Sequence, residues 1–339
     1  MIKQITRIII WLALLTYCLG FGAPLALAAT ATPAQSTAKN GQALEIAPPV
    51  VYLTVDPGKT YKTQIFIRDI SSGNLQVAGQ VNNFIASGED GTPKILLDND
   101  AASDPYTIVN WVAPLPKLLL IPREIKSMTA TINVPADASP GGHYGVIRFT
   151  ATAPSVEGGS GVSLSASIGV LMLITVTGNI QEGLSVKEFS VNNGGSAGTF
   201  FQSGPVNFVE RLENTGNVHL KPVGQVSITD MFGKKFAAVN VNLPPANILP
   251  HSTRKFTQPL DKAVIGNKRL FGRYTATLKV DYGDSKKTLT STTVFWVVPY
   301  KLIGGIILTL IVGFFLIRFL ISRYNQRILS RSQKSRRRK

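Results

Sequence analysis

The chain has 339 residues, of which 44% are apolar and 16% charged, and a formal net charge of +16. At about 100–200 residues per domain this length allows two domains and hardly three. Its 30 glycines and 20 prolines are ordinary for such a length, which excludes collagen-like and low-complexity chains, and its one cysteine excludes both a disulfide framework and a Cys-based zinc site.

The positive charge is not spread evenly. Lys3 and Arg7 lie at the start, Lys301 precedes a long apolar run, and nine more cations lie between Arg318 and Lys339. The remainder of the chain holds every acid and is close to balanced. A sequence pI near 10.0 would otherwise point to nucleic acid. Here it reports ends that sit at a membrane, and no nucleic-acid partner is expected.

Residues 1–28 read as a secretory signal peptide. A basic stretch through Arg7 leads into an apolar run, and Ala26-Leu27-Ala28 supplies an A-x-A cleavage site; the alternative is an uncleaved N-terminal anchor. Cys18 would leave with the signal. The absence of further cysteines and of any N-x-[ST] acceptor favours a bacterial protein. Residues 29–43 are small and polar and read as a flexible leader.

From Leu44 the pattern is short β-runs cut by turns. Asp56-Pro57-Gly58 fits a type II turn before Thr60–Ile67. Leu75–Val81 and Met128–Val134 alternate apolar and polar residues, Gly145–Ala151 follows a Pro140-Gly141-Gly142 turn, and Val162–Val176 follows a glycine-rich loop around Glu157–Gly161. A second series runs Leu184–Val191, Pro205–Glu213, Gly224–Thr229, Lys235–Val241, Ser252–Gln258, Gly272–Asp281 and Leu289–Val297. No run of helical periodicity interrupts them. The fold class expected is all-β: two tandem immunoglobulin-like β-sandwich domains, 44–180 and 181–298, divided near Thr177–Glu182. The first is slightly acidic and the second basic, so the second can face anionic lipid or teichoic polymers.

Leu302–Ile321 is apolar and long enough to cross a bilayer, about 30 Å at ~1.5 Å per residue. Trp296, Tyr300 and Tyr324 flank it as an aromatic belt would, and the acid-free tail 322–339 places that end in the cytoplasm by the positive-inside rule. The alternative is a buried core helix. The expectation is a single-pass type I cell-membrane protein with an extracellular body, held in the lipid bilayer by its C-terminal helix.

Chemistry-bearing motifs are weak. Gly194-Gly-Ser-Ala-Gly198 matches G-x-S-x-G, but no helix follows it as a nucleophile elbow requires. His143, His219 and His251 show no metal-ligand spacing, and neither Walker A nor G-x-G-x-x-G is present. Asp98–Asp104 offers three carboxylates, without the glycine and terminal glutamate of an EF-hand. The chain reads as a non-enzyme with no catalytic residues, no metal site and no cofactor.

Val134-Pro-Ala-Asp-Ala-Ser-Pro-Gly-Gly-His-Tyr-Gly-Val-Ile147 resembles a signature of the WxL-interacting protein family of bacterial cell-surface proteins, the "VPxxAxPGGHYGxI" phrase of its N-terminal domain. Asn110-Trp111-Val112 and Ile168–Gly178 fit as well, and Glu213-Asn-Thr-Gly-Asn-Val-His-Leu-Lys-Pro-Val-Gly224 is similar to a segment of the domain that follows in the family. The resemblance covers residues 44–322. It implies a first domain that binds peptidoglycan or another cell-wall glycan, and a second that meets proteins.

A sugar-binding surface needs aromatic faces for C–H contacts, and Trp111, Tyr106, His143 and Tyr144 are the candidates. The competing reading puts the tryptophan in the sandwich core. The function expected is cell-wall binding through the first domain. The alternative is an adhesin or assembly scaffold that binds a surface protein along a sheet edge.

Overall fold

A computed structural model describes residues 43–97, 106–152 and 166–336, with side chains described as far as Tyr324. The signal peptide, nearly all of the leader, the Asp98–Asp104 loop and the Glu157–Gly161 loop lie outside the described residues.

Nine strands build the first sandwich: β1 (Leu44–Ala47), β2 (Val50–Val55), β3 (Thr60–Asp69), β4 (Leu75–Ser87), β5 (Thr92–Leu96), β6 (Leu118–Leu120), β7 (Ile125–Asn133), β8 (Gly141–Thr152) and β9 (Ala166–Val176). One sheet has the order β1-β3-β7. The other has the order β2-β9-β8-β4-β5, with β6 beside β4. The alternation in the sequence decides which residues go inside. In β3, Ile65 and Ile67 are buried while Lys62, Gln64, Phe66 and Arg68 face out. The Asp56 turn forms as its Pro-Gly pair requires, with Gly58 at φ 73°. Ile65, Val77, Ile132, Ile147, Phe149 and Met172 fill the space between the sheets. Each such side chain contributes roughly 1.5–3 kcal/mol relative to an exposed one.

The second sandwich takes β10 (Leu184–Asn193), β11 (Ser196–Ala197), β12 (Phe200–Phe201), β13 (Val206–Asn214), β14 (Val223–Asp230), β15 (Lys235–Val241), β16 (Thr253–Leu260), β17 (Gly272–Tyr282) and β18 (Lys287–Val297). Its sheets run β11-β10-β13-β16 and β12-β18-β17-β14-β15. Phe208, Tyr274 and Phe295 form an aromatic centre. The rings of Tyr274 and Phe295 stack at 5.4 Å, and those of Phe208 and Phe295 meet edge-on at 5.9 Å. The fold is therefore all-β and immunoglobulin-like. The one described helix of its body is α1 (Lys262–Ile265), whose N-cap Asp261 accepts from the Ala263 and Val264 amides.

Helix α2 (Tyr300–Arg336) follows β18 after two residues. Tyr300–Tyr324 is apolar enough to cross a membrane, and none of that window is buried within the protein.

Several elements differ from expectation. The Pro140-Gly141-Gly142 turn is not a turn: β8 starts at Gly141, and Gly142 already pairs with Thr175. Strand β4 continues six residues past Val81 to Ser87, where it forms a hairpin with β5. Gly194-Gly195 is the two-residue turn of the β10–β11 hairpin, with φ of 68° and 102°, so Ser196 begins a strand and no helix follows it, as the sequence indicates.

Candidate functional site

The four aromatic candidates do come together. As β4 leaves the side of β8 beyond Asn82, the segment Tyr106–Ile108 takes its place. Tyr144 N–H donates to Tyr106 O at 2.7 Å, and Ile108 N–H donates to Tyr144 O at 3.3 Å. The chain then crosses to β7, where Asn133 N–H donates to Trp111 O at 2.7 Å. His143 points into the first sandwich, with its ring 4.5 Å from Trp111 and 6.4 Å from Tyr106, and its Nε2 lies 2.8 Å from Ser139 O. Tyr144, one residue on, points to the opposite face of the sheet. Trp111, His143 and Tyr144 are 8%, 2% and 4% exposed. Their ring faces are taken up by protein, and only Tyr106 stays half-buried. The expected exposed stacking platform for a sugar is thus a core cluster and a domain contact.

That contact explains the PGGHYG phrase. Gly141 adopts φ 126°, and a Cβ there would stand 2.6 Å from Asn217 O of the second sandwich. Gly142 donates its N–H to the same Asn217 O at 2.7 Å. The Asn217 side chain donates to Pro140 O at 3.3 Å and Asn179 O at 3.0 Å and accepts from the Gln181 amide at 2.8 Å, so it ties the connecting segment to both sandwiches. Tyr144 Oη lies 3.5 Å from Nδ1 of His219, and the two rings meet edge-on at 5.9 Å. Burial, then the nearby Lys221 charge, brings the His219 pKa down to about 4, so its imidazole is neutral at pH 7. Burial pushes the Tyr144 phenol well above the ordinary tyrosine range. Around them Phe84, Val146 and Leu173 of the first sandwich pack with Leu249 of the second. Farther along, Arg211 pairs with Glu89 at the β4–β5 turn, and the Lys255 amide donates to Glu89 O at 2.7 Å. The phrases around His143 and His219, which carry the sequence resemblance in the two halves, face each other across this junction.

Two clefts flank the contact, and Tyr52 lines both. One of about 830 Å³ is polar, with Thr54, Thr175, Glu182, Lys221 and Lys287 in its wall. The other, of about 250 Å³, is walled by Val50, Phe84, Leu171, Pro245 and Leu249. The Tyr52 hydroxyl accepts from Asn247 Nδ2 at 2.7 Å, and the Lys221 ammonium sits 4.3 Å over its ring.

Strand β9 adds an open edge beside the apolar cleft. It pairs with β8 along its whole length, from Ala166 to Val176, but β2 covers its other side only from Leu171 onward. Leu171 N–H donates to Pro49 O at 3.0 Å and Thr177 N–H to Val55 O at 2.8 Å, so the odd-numbered amides point toward the β2 side. The same alternation turns the N–H and C=O of Ser167 and Gly169 outward. No strand pairs with them there among the described residues; β1 passes close by but bonds to β3.

No family model matches the chain, and no curated relative matches it. Solved structures similar to it include a chaperone–tip adhesin complex of CFA/I fimbriae (14% identity, 75% of this chain and 98% of that one, TM-score 0.37). Others are the E. coli chaperone DraB (12%, 76% and 98%, 0.33) and a Porphyromonas gingivalis protein of unknown function (13%, 75% and 99%, 0.28). The fold assignment rests on the strand order given above.

Sequence reasoning missed Tyr52, Asn217 and the free half of β9. The signal for the last was present in the length of Val162–Val176, which exceeds any partner strand offered before it.

Proposed function

We propose that the protein is a non-enzymatic scaffold, tethered to the cell membrane by α2, that binds a surface protein by adding a partner strand along Ser167–Val170 of β9. The observation that carries this reading is the half-paired strand. Unpaired backbone groups on an exposed edge template another strand, and natural folds blunt such edges with charge, proline or a covering element. The described part of this edge, Ser167–Val170, has neither a charge nor a proline, and β1, which passes beside it, spends its hydrogen bonds on β3. It also opens toward the apolar cleft at Val50 and Leu171, which offers a pocket for an incoming side chain.

Peptidoglycan contact, which the resemblance implies, would need a different surface from the four aromatic residues, because three of them are buried. The body projects outside the cell, and the basic tail lies in the cytoplasm.

Hydrogen exchange tests the reading. In the purified full chain in detergent the Ser167 and Gly169 amides exchange fast, while the Ile168 and Val170 amides, which face β8, are protected. In membranes from the producing cells the two outward amides become protected at least tenfold. Equal rates in both preparations would contradict strand addition.

A further inference from the structure

The end of the second sandwich from which α2 leaves gathers exposed aromatic and basic side chains next to the span. The strand register defines this end. Gly272 pairs with Val297 and Phe201 with Val297, so Phe271 and Gln202 stand level with Val298. Asp230 pairs with Tyr274, which brings the β14–β15 tip to the same level, and a Cβ at Gly272 would touch the Met231 methyl at 2.0 Å. Leu260, the last residue of β16, pairs with Val206, which places α1 there too.

Large apolar side chains project from these loops. Phe200, Phe232 and Phe271 are 70%, 80% and 61% exposed, and Met231 and Val264 also face outward. A soluble surface has no reason to gather three exposed phenylalanines at one end. Lys234, Lys262, Arg269 and Lys301 are exposed around them. The two acids of these loops are engaged locally. Asp230 accepts from the Phe232 and Lys234 amides, and Asp261 from the Ala263 and Val264 amides. A cleft of about 980 Å³ opens between α1 and the first turn of α2, walled by Gly204, Leu260, Ile265, Leu270, Pro299 and Leu302.

From this we propose that this end of the second sandwich is itself a membrane-docking surface. It inserts Phe200, Phe232 and Phe271 among the headgroups and binds anionic phospholipid through Lys234, Lys262, Arg269 and Lys301. The occupant follows from position and charge. The proposal rests on α2 crossing the bilayer, as in the reading above, and Leu302 belongs both to that span and to the cleft wall. If Tyr300–Tyr324 lies in lipid, loops level with Val298 meet the outer headgroup layer. There aromatic rings partition favourably, and cations are drawn to an anionic surface. Docking also fixes the tilt of the body on its tether, to which only Val298 and Pro299 join it.

The test uses the full chain with Cys18→Ser, reconstituted in nanodiscs of phosphatidylcholine with or without phosphatidylglycerol. A fluorophore is placed in turn at Phe232→Cys, Ser285→Cys and Val312→Cys and quenched by lipids brominated on the acyl chain. Ser285 is the control, in the β17–β18 turn at the other end of the sheet, some ten residues along β17 or roughly 30 Å away. The expected result is strong quenching at Val312 in both lipids. At Phe232 quenching should exceed that at Ser285 at least threefold with phosphatidylglycerol and fall in its absence. Lys234→Gln, Lys262→Gln and Arg269→Gln together should abolish the lipid dependence. Quenching at Val312 with Phe232 no more quenched than Ser285 overturns the docking surface and leaves the span intact. Equal quenching at Phe232 in both lipids overturns the anionic-lipid assignment. No quenching at Val312 overturns the span, and the docking surface with it.

Discussion

Two buried titratable groups give the second sandwich and the junction opposite responses to pH. Glu210 follows the inward alternation of Val206, Phe208, Leu212 and Asn214 along β13 and is fully buried, flanked on its face by Phe189 and Phe256. Neither of its carboxyl oxygens has a hydrogen-bond partner among the described residues, and burial raises its pKa to about 8. A raised carboxyl favours the folded state fully below the unfolded value of 4.5, and that stability is lost as pH rises toward 8. His219, lowered from 6.5 to about 4, does the reverse. Its contribution is complete above 6.5 and is lost as pH falls to 4. Between 4.5 and 6.5 the two slopes oppose each other. Above 6.5 Glu210 acts alone, at up to about 1.4 kcal/mol per pH unit. Urea unfolding of the full chain in detergent should therefore show a nearly flat stability from pH 4.5 to 6.5 and a decline from 6.5 to 8. Glu210→Gln should remove the decline and unmask a rise in stability with pH below 6.5. His219→Phe should leave the decline at high pH and make stability fall with rising pH from 4.5 onward. An unchanged profile in Glu210→Gln would contradict the burial argument.

Among elements, the strands were the most legible part of the sequence. Lys235–Val241 coincides with β15, and Thr60–Ile67, Leu184–Val191 and Leu289–Val297 lie inside longer strands, because each is rich in strand-forming residues and bounded by turn residues. Only Thr60–Ile67 alternates cleanly between a buried and a wet face, and β10 carries a bulge at Val186–Glu188. The PGGHYG segment misled for a physical reason. Glycines usually signal a turn, but these lie in a strand where a Cβ would be crowded by the second sandwich at Gly141 and by the Tyr144 hydroxyl at Gly142. Of the candidate aromatics, Trp111 takes the core position that was the competing reading, and His143 and Tyr144 are buried as well, which a single sequence does not reveal because it does not show which face a second domain will cover. The junction depends on Asn217, whose side chain makes three hydrogen bonds, two to the connecting segment at Asn179 and Gln181 and one to Pro140. Asn217→Ala should cost about 0.5–1.5 kcal/mol, since the exposed groups it releases can turn to water. It should also raise protease cleavage near Thr177–Gly183 at least severalfold, as limited proteolysis of the full chain would show. A variant as resistant as the parent would show that the apolar contact around Leu249 holds the junction unaided.

At the scale of the molecule, the second sandwich sits between span and first sandwich. The junction sets the direction in which β9 points, and in the proposed scaffold a membrane tether would concentrate that edge near other surface proteins. Proline suits residue 167 because its missing N–H would face the open lane and not β8. Ser167→Pro should thus leave the fold intact while removing one edge donor. The measurement that tests the scaffold most directly is photo-cross-linking on intact producing cells, with a photoreactive amino acid at position 167 and again at Ser285. A discrete adduct to a second polypeptide from position 167, absent from position 285, is the predicted result. Adducts only to cell-wall glycan, or the same pattern from both positions, would contradict it.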